Sequence, residues 1–445
     1  MQRKPTILLI GEGAREHIIA EKLNDSKARL ICLSSKDHPG IKRLAILSSG
    51  KFYCNEINEE NVKQILKHNK IDFAFVSPDG LLFKGITDII KKHKIKVACP
   101  TKNQAKIEWD KSFARKLMKK HKIKAYPEFL ITNDLKEAYD FIEKYQYVAV
   151  KPAGLTGGKG VKVVGNQLKD IQEAKAYAKE LLETKYSGLE EIVLEERLLG
   201  QEFTLQIFTD GKNIIPMPLV QDHKNLLEDD LGPNTGGMGS YSTQNHLLPF
   251  VSISDYEEAI EIAKKTLKAF YKETKEYFKG ILYLQCILST KGVKIIEYNS
   301  RFGDPEAINV LTIFQGNLSE VLESIANDKL ISRKKVSFER NATVCKYLVP
   351  NGYPDNPAKD KEIKIMKPKE RFYFASVYEK EGKIYTTSSR AIAVIAKDID
   401  FYSAERRVEL CISTSFYGEL YHRKDIATQS LIYKKLNYLK ELKLM

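Results

Sequence analysis

The chain lacks any apolar run approaching the roughly 18 residues that a membrane-crossing helix needs, so no membrane partner is expected. No export leader is expected either. Met1-Gln2-Arg3-Lys4-Pro5 runs straight into a strand-like segment, without the apolar stretch and small-residue cleavage site of an export signal. Cysteine is scarce: Cys32, Cys54, Cys99, Cys286, Cys345 and Cys411 are scattered and form no Cys-x-x-Cys pair. That spacing argues for reduced thiols in a cytoplasmic protein, against disulfides or a zinc site. Acidity is also short, with 58 Asp and Glu against 72 Lys and Arg, a formal charge of +14. The lysines are spread along the whole chain among glutamates, and no basic segment interleaves with base-stacking aromatics. The surplus charge therefore suits anionic small molecules better than nucleic acid.

What is present is an ordinary globular composition, 43% hydrophobic and 29% charged, in 445 residues, enough for three or four lobes. The first hundred residues alternate strands (6–10, 30–33, 72–76, 96–99) with helices (14–23, 61–68, 84–93), which predicts a parallel, doubly wound sheet. Lys-Lys-His-Lys-Ile-Lys occurs at 91–96 and again at 119–124; both copies read as cationic helix ends running into a strand. Pro100 breaks the pattern, and a helix at 111–121 follows. From Pro127 a smaller α+β lobe is expected: helix 135–145, strand 147–150, a glycine-rich loop, strand 161–164, helix 168–185 and strand 191–198. A hairpin (203–208 with 214–220), a helix at 254–278 and paired strands at 281–288 and 293–298 come next. The last hundred residues (strands 342–349, 372–378 and 391–395, helix 403–411) form a separate mixed lobe, and the lysine-rich tail 431–445 looks helical.

Three glycine-rich segments could meet phosphate. Gly11-Glu12-Gly13-Ala14-Arg15-Glu16 lies between a strand and a helix, where backbone N–H groups suit an anion. A dinucleotide fingerprint would need a third glycine at Glu16, and Asp37 is a loose match for its ribose acid. A dinucleotide, another phosphate ligand and a plain tight turn all remain open there. Lys151 to Val161 is no Walker loop, because Gly160 follows Lys159, but it places a flexible cationic loop between two strands. Gly232 to Gly239 holds four glycines in eight positions, a conformational cost better explained by close approach to a ligand than by a mere connection. Finally, period-two alternation puts Glu297 and Asn299 on one strand face, with Gln285 across the pair. Hard oxygen donors with little charge suit Mg²⁺ or Mn²⁺ shared with nucleotide phosphates, although a surface ion-pair cluster with Arg301, Asp304 and Glu306 is the plainer alternative.

Together these segments resemble the ATP-grasp superfamily, and within it the phosphoribosylamine–glycine ligase family. The resemblance rests on Gly-x-Gly-x-Arg-Glu-His at 11–17, the 151–161 loop, Gln221-Asp222-His223-Lys224, Gly232 to Ser242, and Glu297-x-Asn299-x-Arg301-Phe302-Gly303-Asp304-Pro305-Glu306. Asn351-Gly352-Tyr353-Pro354 and His422-Arg423-Lys424-Asp425-Ile426 extend it through the C-terminal part, so nearly the whole chain is covered in order. It implies an α/β architecture: an N-terminal Rossmann-like domain (1–101), an ATP-grasp core (102–330) with a mobile α+β lid at about 123–197, a C-terminal mixed α/β domain (331–430) and the tail. It further implies that Lys111, Lys151 and the loop Gly157, Gly158, Lys159, Gly160 hold ATP. Glu195, Glu196 and Leu198 would form the adenine hinge, and Glu202 the ribose contact. Glu297 and Asn299, with Gln285, would bind Mg²⁺ or Mn²⁺. Gly13, Arg15, Glu16, Pro78 and Asp79 would face phosphoribosylamine. Asp222, Lys224, Asn234, Thr235, Gly236, Gly237, Met238, Asp304 and Glu306 would face glycine and its acyl phosphate, with Arg301 and Lys151 supporting catalysis.

Departures from the family pattern fall at Ala14, at Ser77-Pro78-Asp79-Gly80 and at Thr156-Gly157. The implied reaction activates glycine as glycyl phosphate, which the amine of phosphoribosylamine then attacks to give glycinamide ribonucleotide, ADP and phosphate. No protein nucleophile is needed. Positioning and charge stabilisation carry such chemistry, and His17 reads as a packing or orienting residue. A different ATP-grasp carboxylate–amine ligase or carboxylase is the alternative. A monomer or small homo-oligomer is expected.

Overall fold

The structure, a computed structural model, describes residues 4–156, 160–185 and 188–444. Its N-terminal part is a five-stranded parallel sheet in the order Lys51–Cys54, Arg29–Ser34, Thr6–Ile10, Phe73–Val76, Lys96–Val97. The central strands are unbroken apolar runs because helices cover both faces. Strand direction of progression reverses at Thr6–Ile10, so the turns after it and after Phe73–Val76 lie side by side at the sheet's carboxyl edge, where open α/β sheets bind ligands.

Three local differences from the sequence reading have plain causes. Lys51–Cys54 is a half-exposed edge strand with no apolar run to mark it. The helix expected at 84–93 is two, Asp79–Phe83 and Ile86–Lys92, parted by Gly85 at φ +78°. The repeated hexapeptide does end two helices, at Lys92 and Lys120, and both then turn through a left-handed lysine, Lys94 (φ +60°) and Lys122 (φ +55°). Only the first copy feeds a strand at once; after the second, none begins before Phe129.

The lid is an antiparallel sheet, Phe129–Thr132, Ile192–Glu196, Val148–Pro152, Lys162–Val163, covered by helices Leu135–Tyr145 and Ile171–Thr184. Its apolar cluster, including Ala138, Ile142, Val148, Val150, Ala178 and Leu194, is separate from the cluster that runs through the rest of the molecule. A unit with its own core shifts without opening another. Beside it stands a second antiparallel sheet, Ile214–Pro216, Gly200–Thr209, Gly280–Ser289, Gly292–Asn299, backed by the helix Ile253–Thr274. That helix starts at a capping box between Ser252 and Asp255.

The C-terminal part is mixed α/β, as expected, but shares its main sheet with the middle of the chain. Its main sheet runs Gln221–Asp222, Gly239–Ser242, Ala342–Pro350, Ile392–Asp398, Arg371–Phe374, so its first two strands come from the middle of the chain. The helix Phe401–Ser415 packs on this sheet, and the tail forms the helix Gln429–Glu441. No helix of the described residues is long and apolar enough to cross a membrane.

Candidate functional site

A cleft of about 640 Å³ opens between the lid, the second sheet and the edge of the C-terminal sheet. The lid's strands supply its first charged group. Lys151, near the end of Val148–Pro152, is buried and donates to Glu195 Oε2 at 2.6 Å, while Arg115 Nε donates to Glu195 Oε1 at 2.7 Å. Burial alone would raise the Glu195 carboxyl, but these two cations hold it down to about 2. Lys111 Nζ donates to the Gly154 carbonyl at 2.8 Å and its amine is pushed down, first by burial and then by neighbouring Lys151. Gly160 is buried, with its carbonyl accepting from the Tyr177 hydroxyl. Gly157, Gly158 and Lys159 lie outside the described residues. Glu196 and Leu198 line the cleft, and the Glu196 carboxylate accepts from Lys291 and from the Glu128 N–H.

The second sheet forms the floor. Gln285 stands directly across from Glu297, as alternation predicts, and a bulge follows at once, Cys286 pairing with Ile295. Half-buried Glu297 and buried Asn299 line the cleft. Burial would raise the Glu297 carboxyl, yet Lys224, Lys111, Lys151 and Arg301 together lower it. The Gln285 amide is already committed: it donates to Glu202 Oε2 at 2.6 Å and its oxygen accepts from the hydroxyls of Thr204 and Tyr283. Glu202 also meets Lys224 Nζ at 3.3 Å. Among the described residues no group of three or more His, Cys, Asp or Glu is arranged to hold a metal. Glu297 and Asn299 offer one charge and one amide oxygen, a pair that would suit a hard cation shared with phosphate oxygens or water.

Beside this floor is an acidic pair, Asp222 and Glu306. Burial, and then Glu306, raise the Asp222 carboxyl well above the usual range, against the pull of Lys224 and Arg390. Glu306 accepts from the Tyr283 hydroxyl at 2.7 Å. Burial opposes charge on Lys224, but Glu202, Glu297, Asp222 and Glu306 more than offset it and raise its amine. The glycine loop is tied alongside: Thr235 donates through both its N–H and its hydroxyl to the Lys224 carbonyl, each at 2.7 Å. Gly237 has φ +102°, and a Cβ there would sit 2.8 Å from Asp222 Oδ1 and 2.7 Å from Pro305 Cδ. Close approach to protein atoms thus accounts for that glycine. Asn234 and Gly236 line the cleft. Met238 does not: its side chain is fully buried in the main apolar core, correcting its expected place against substrate.

Asp304 lines the cleft but is held by the C-terminal part. Its Oδ2 accepts from Arg390 at 2.9 Å and its Oδ1 from the Tyr347 hydroxyl at 2.5 Å. Arg390 also donates to the Gly237 carbonyl at 2.9 Å, joining the 301–306 turn to the glycine loop. Arg301 Nη2 is 3.3 Å from Glu108 Oε1, and its buried Nε has no hydrogen-bond partner. Glu108 takes the Ser300 N–H and hydroxyl on its other oxygen.

At the N-terminal sheet edge, Glu16 folds back over the glycine turn. Its Oε2 accepts from the Gly13 N–H at 2.6 Å, and its Oε1 from Arg15 Nε at 2.6 Å. A Cβ on Gly11 would fall 2.3 Å from Glu16 Cγ, so the turn needs glycine to admit its own carboxylate. Burial would raise Glu16, but Arg15 and the turn's hydrogen bonds lower it. Arg15 in turn donates to the Phe302 carbonyl at 2.9 Å, fixing this domain to the core. Pro78 caps the helix Asp79–Phe83 and Asp79 reaches the cleft. His17 is a packing residue: it accepts from the Phe374 N–H at 3.0 Å and stacks on that ring.

Sequence reasoning missed Arg115, Glu108, Arg390 and Tyr283, whose partners lie between 23 and 192 residues away and leave no local signature. Two antiparallel sheets, one with its own core, meeting at buried lysines and a Glu-x-Asn strand end form an ATP-grasp fold. Three adjoining models of phosphoribosylglycinamide synthetase match: the N domain over 5–108, the ATP-grasp domain over 109–307 and the C domain over 343–429. The chain belongs to this family, and its activity is ATP-dependent phosphoribosylamine–glycine ligation in purine biosynthesis. It is 47% identical to phosphoribosylamine–glycine ligase of Methanosarcina barkeri over 440 residues, covering 98% of this chain and 99% of that protein. The enzyme of Methanothermobacter thermautotrophicus is 44% identical, with coverage of 98% and 99%. The crystal structure of phosphoribosylamine–glycine ligase from Thermotoga maritima superposes with a TM-score of 0.80 at 26% identity, covering 95% of this chain and all of that one. A biotin carboxylase from Campylobacter jejuni shares the fold alone, at TM-score 0.75 and 15% identity over 99% of each chain.

Proposed function

We infer the following division of labour within the ligase site. Lys111, Lys151 and the 157–160 loop hold the phosphates of ATP, with Leu198 and the backbone from Glu195 along the adenine and Glu202 at the ribose. Glu297 and Asn299 hold a Mg²⁺ or Mn²⁺ ion, which when bound neutralises phosphate charge; Gln285 joins them only by giving up its bonds to Thr204 and Tyr283. The glycine ammonium sits between Asp222 and Glu306, beside Asn234 to Gly237. The glycine carboxylate oxygen attacks the γ-phosphorus, the bond to ADP breaks, and Lys224 and Arg301 offset charge on the transferred group. The phosphoribosylamine nitrogen, held near Gly13, Arg15 and the Pro78-Asp79 turn, then attacks the acyl carbon. Phosphate leaves, taking up the proton the amine loses, and the closed lid keeps water out.

The observation that carries this reading is the gathering of buried cations and carboxylates in one cleft, with Lys224 between Glu297 and the Asp222–Glu306 pair. Lys224, Lys111, Lys151 and Arg301 lower the Glu297 carboxyl, while burial and Glu306 raise that of Asp222 against Lys224 and Arg390. A buried carboxyl raised by its neighbour marks a place where an ammonium is wanted. A cytoplasmic location is inferred as well, a reading supported by six cysteines free of disulfides.

The deciding experiment is ADP release with Mg²⁺, ATP and phosphoribosylamine generated in situ, with and without glycine. ADP formation that needs both cosubstrates and disappears in Glu297→Ala supports the assignment of reaction and cation site. ATP consumption indifferent to glycine would leave the ATP assignment standing and overturn the substrate one.

A further inference from the structure

The C-terminal helix Gln429–Glu441 lies almost wholly beyond the residues matched by the family's C domain, which end at 429, yet two of its side chains, Lys435 and Tyr438, line the cleft. Lys435 is buried, which is unusual for an unmodified lysine without a function or a partner. Its Nζ is 3.3 Å from His223 Nε2 and 3.2 Å from Asp230 Oδ2. An ammonium has only donors, so His223 Nε2 accepts and the imidazole proton is fixed on Nδ1.

His223 is the hub of the segment that carries Asp222 and Lys224. Its N–H donates to Asp222 Oδ1 at 2.7 Å and to the Gly239 carbonyl at 2.9 Å, and its carbonyl accepts from the Met238 N–H at 2.7 Å. Behind it, the hairpin Asn225–Leu227 with Leu231–Asn234 turns through Asp229 and Asp230, both at positive φ (+61° and +59°). That turn is secured from the tail side. Lys434 meets Asp229 at 2.8 Å, buried Arg423 meets Asp230 at 2.8 Å, and Asp425 accepts from the Asp229 N–H at 2.8 Å.

We propose that Lys435 is a positioning residue for ligation: through His223 and Asp230 it holds the Asp222–Lys224 segment and the hairpin in register with the 234–238 loop. The helix is thereby part of the glycine site without touching the reacting atoms. This rests on the reading that Asp222 and Lys224 face glycine and its acyl phosphate. Small displacements of such groups cost about 10–100-fold.

The test compares Lys435→Met, Lys435→Arg, Asp230→Asn and, on an exposed position of the same helix, Lys440→Met in the glycine-dependent ADP-release assay, with Tm measured for each. The expected result is a rise of about tenfold or more in KM for glycine in Lys435→Met, with a smaller change in kcat. Lys435→Arg should recover most of it, Asp230→Asn should move KM the same way, and Lys440→Met should match wild type. A lowered Tm with unchanged KM and kcat in Lys435→Met overturns the proposal, because the lysine then only supports folding. If Lys435→Met does not fold, Asp230→Asn decides: a wild-type KM there overturns the proposal as well. Wild-type enzyme that releases ADP without regard to glycine is a separate failure, that of the reading beneath it.

Discussion

Glu195 illustrates how one buried carboxylate serves two cations. Lys151 and Arg115 approach it from different elements, and its carboxyl is held at about 2 against an ordinary value of 4.5. A depressed carboxyl contributes stability that is complete above pH 4.5 and is lost as pH falls towards 2. Glu195→Gln should therefore cost about 3 kcal/mol near neutral pH. In urea denaturation the deficit should shrink as the pH is lowered below 4.5. Asp222 has the opposite shift, upward, so the acid limb of glycine binding should lie at higher pH than an ordinary aspartate would give. Asp222→Asn should raise KM for glycine and flatten that limb in a pH series of kcat/KM.

Among the elements, the lid and the loop around Gly237 behave differently for reasons of packing. The lid closes its own apolar cluster, so damage there stays local. Ile142→Ala removes a fully buried side chain and should cost about 2–5 kcal/mol of lid stability. Hydrogen exchange should show faster exchange in Leu135–Tyr145 and Ile192–Glu196, with Gly280–Ser289 unchanged. The 234–238 loop has no such independence, since Arg390 donates to both the Gly237 carbonyl and Asp304. Arg390→Met leaves those acceptors buried without a donor and should lower kcat/KM by about 10–100-fold. A steady-state assay with saturating ATP checks this.

For the molecule as a whole, the shared sheet sets what will fold. Gln221–Asp222 and Gly239–Ser242 complete a sheet whose other strands begin at Ala342. A chain ending at residue 330 would expose Gly239–Ser242 as an unpaired, fully buried edge. Such a truncation should be insoluble or lack a cooperative melting transition by circular dichroism, whereas the full chain melts cooperatively.

Much was settled by the sequence alone, and for a physical reason. The parallel sheet, the helix starts and the facing of Gln285 with Glu297 follow from local periodicity, which needs only a few neighbouring residues. The glycine runs and the Glu-x-Asn motif marked the site for the same reason: backbone approach and strand alternation are local constraints. Only the tertiary structure decided that Met238 turns into the core, that Glu16 fills its own glycine turn, and that Asp304 belongs to Arg390. It alone joined the C-terminal strands to the core sheet and brought Lys435 onto His223, 212 residues apart. Charge pairing and burial between distant segments leave no period in the sequence, so they become legible only once the chain has folded.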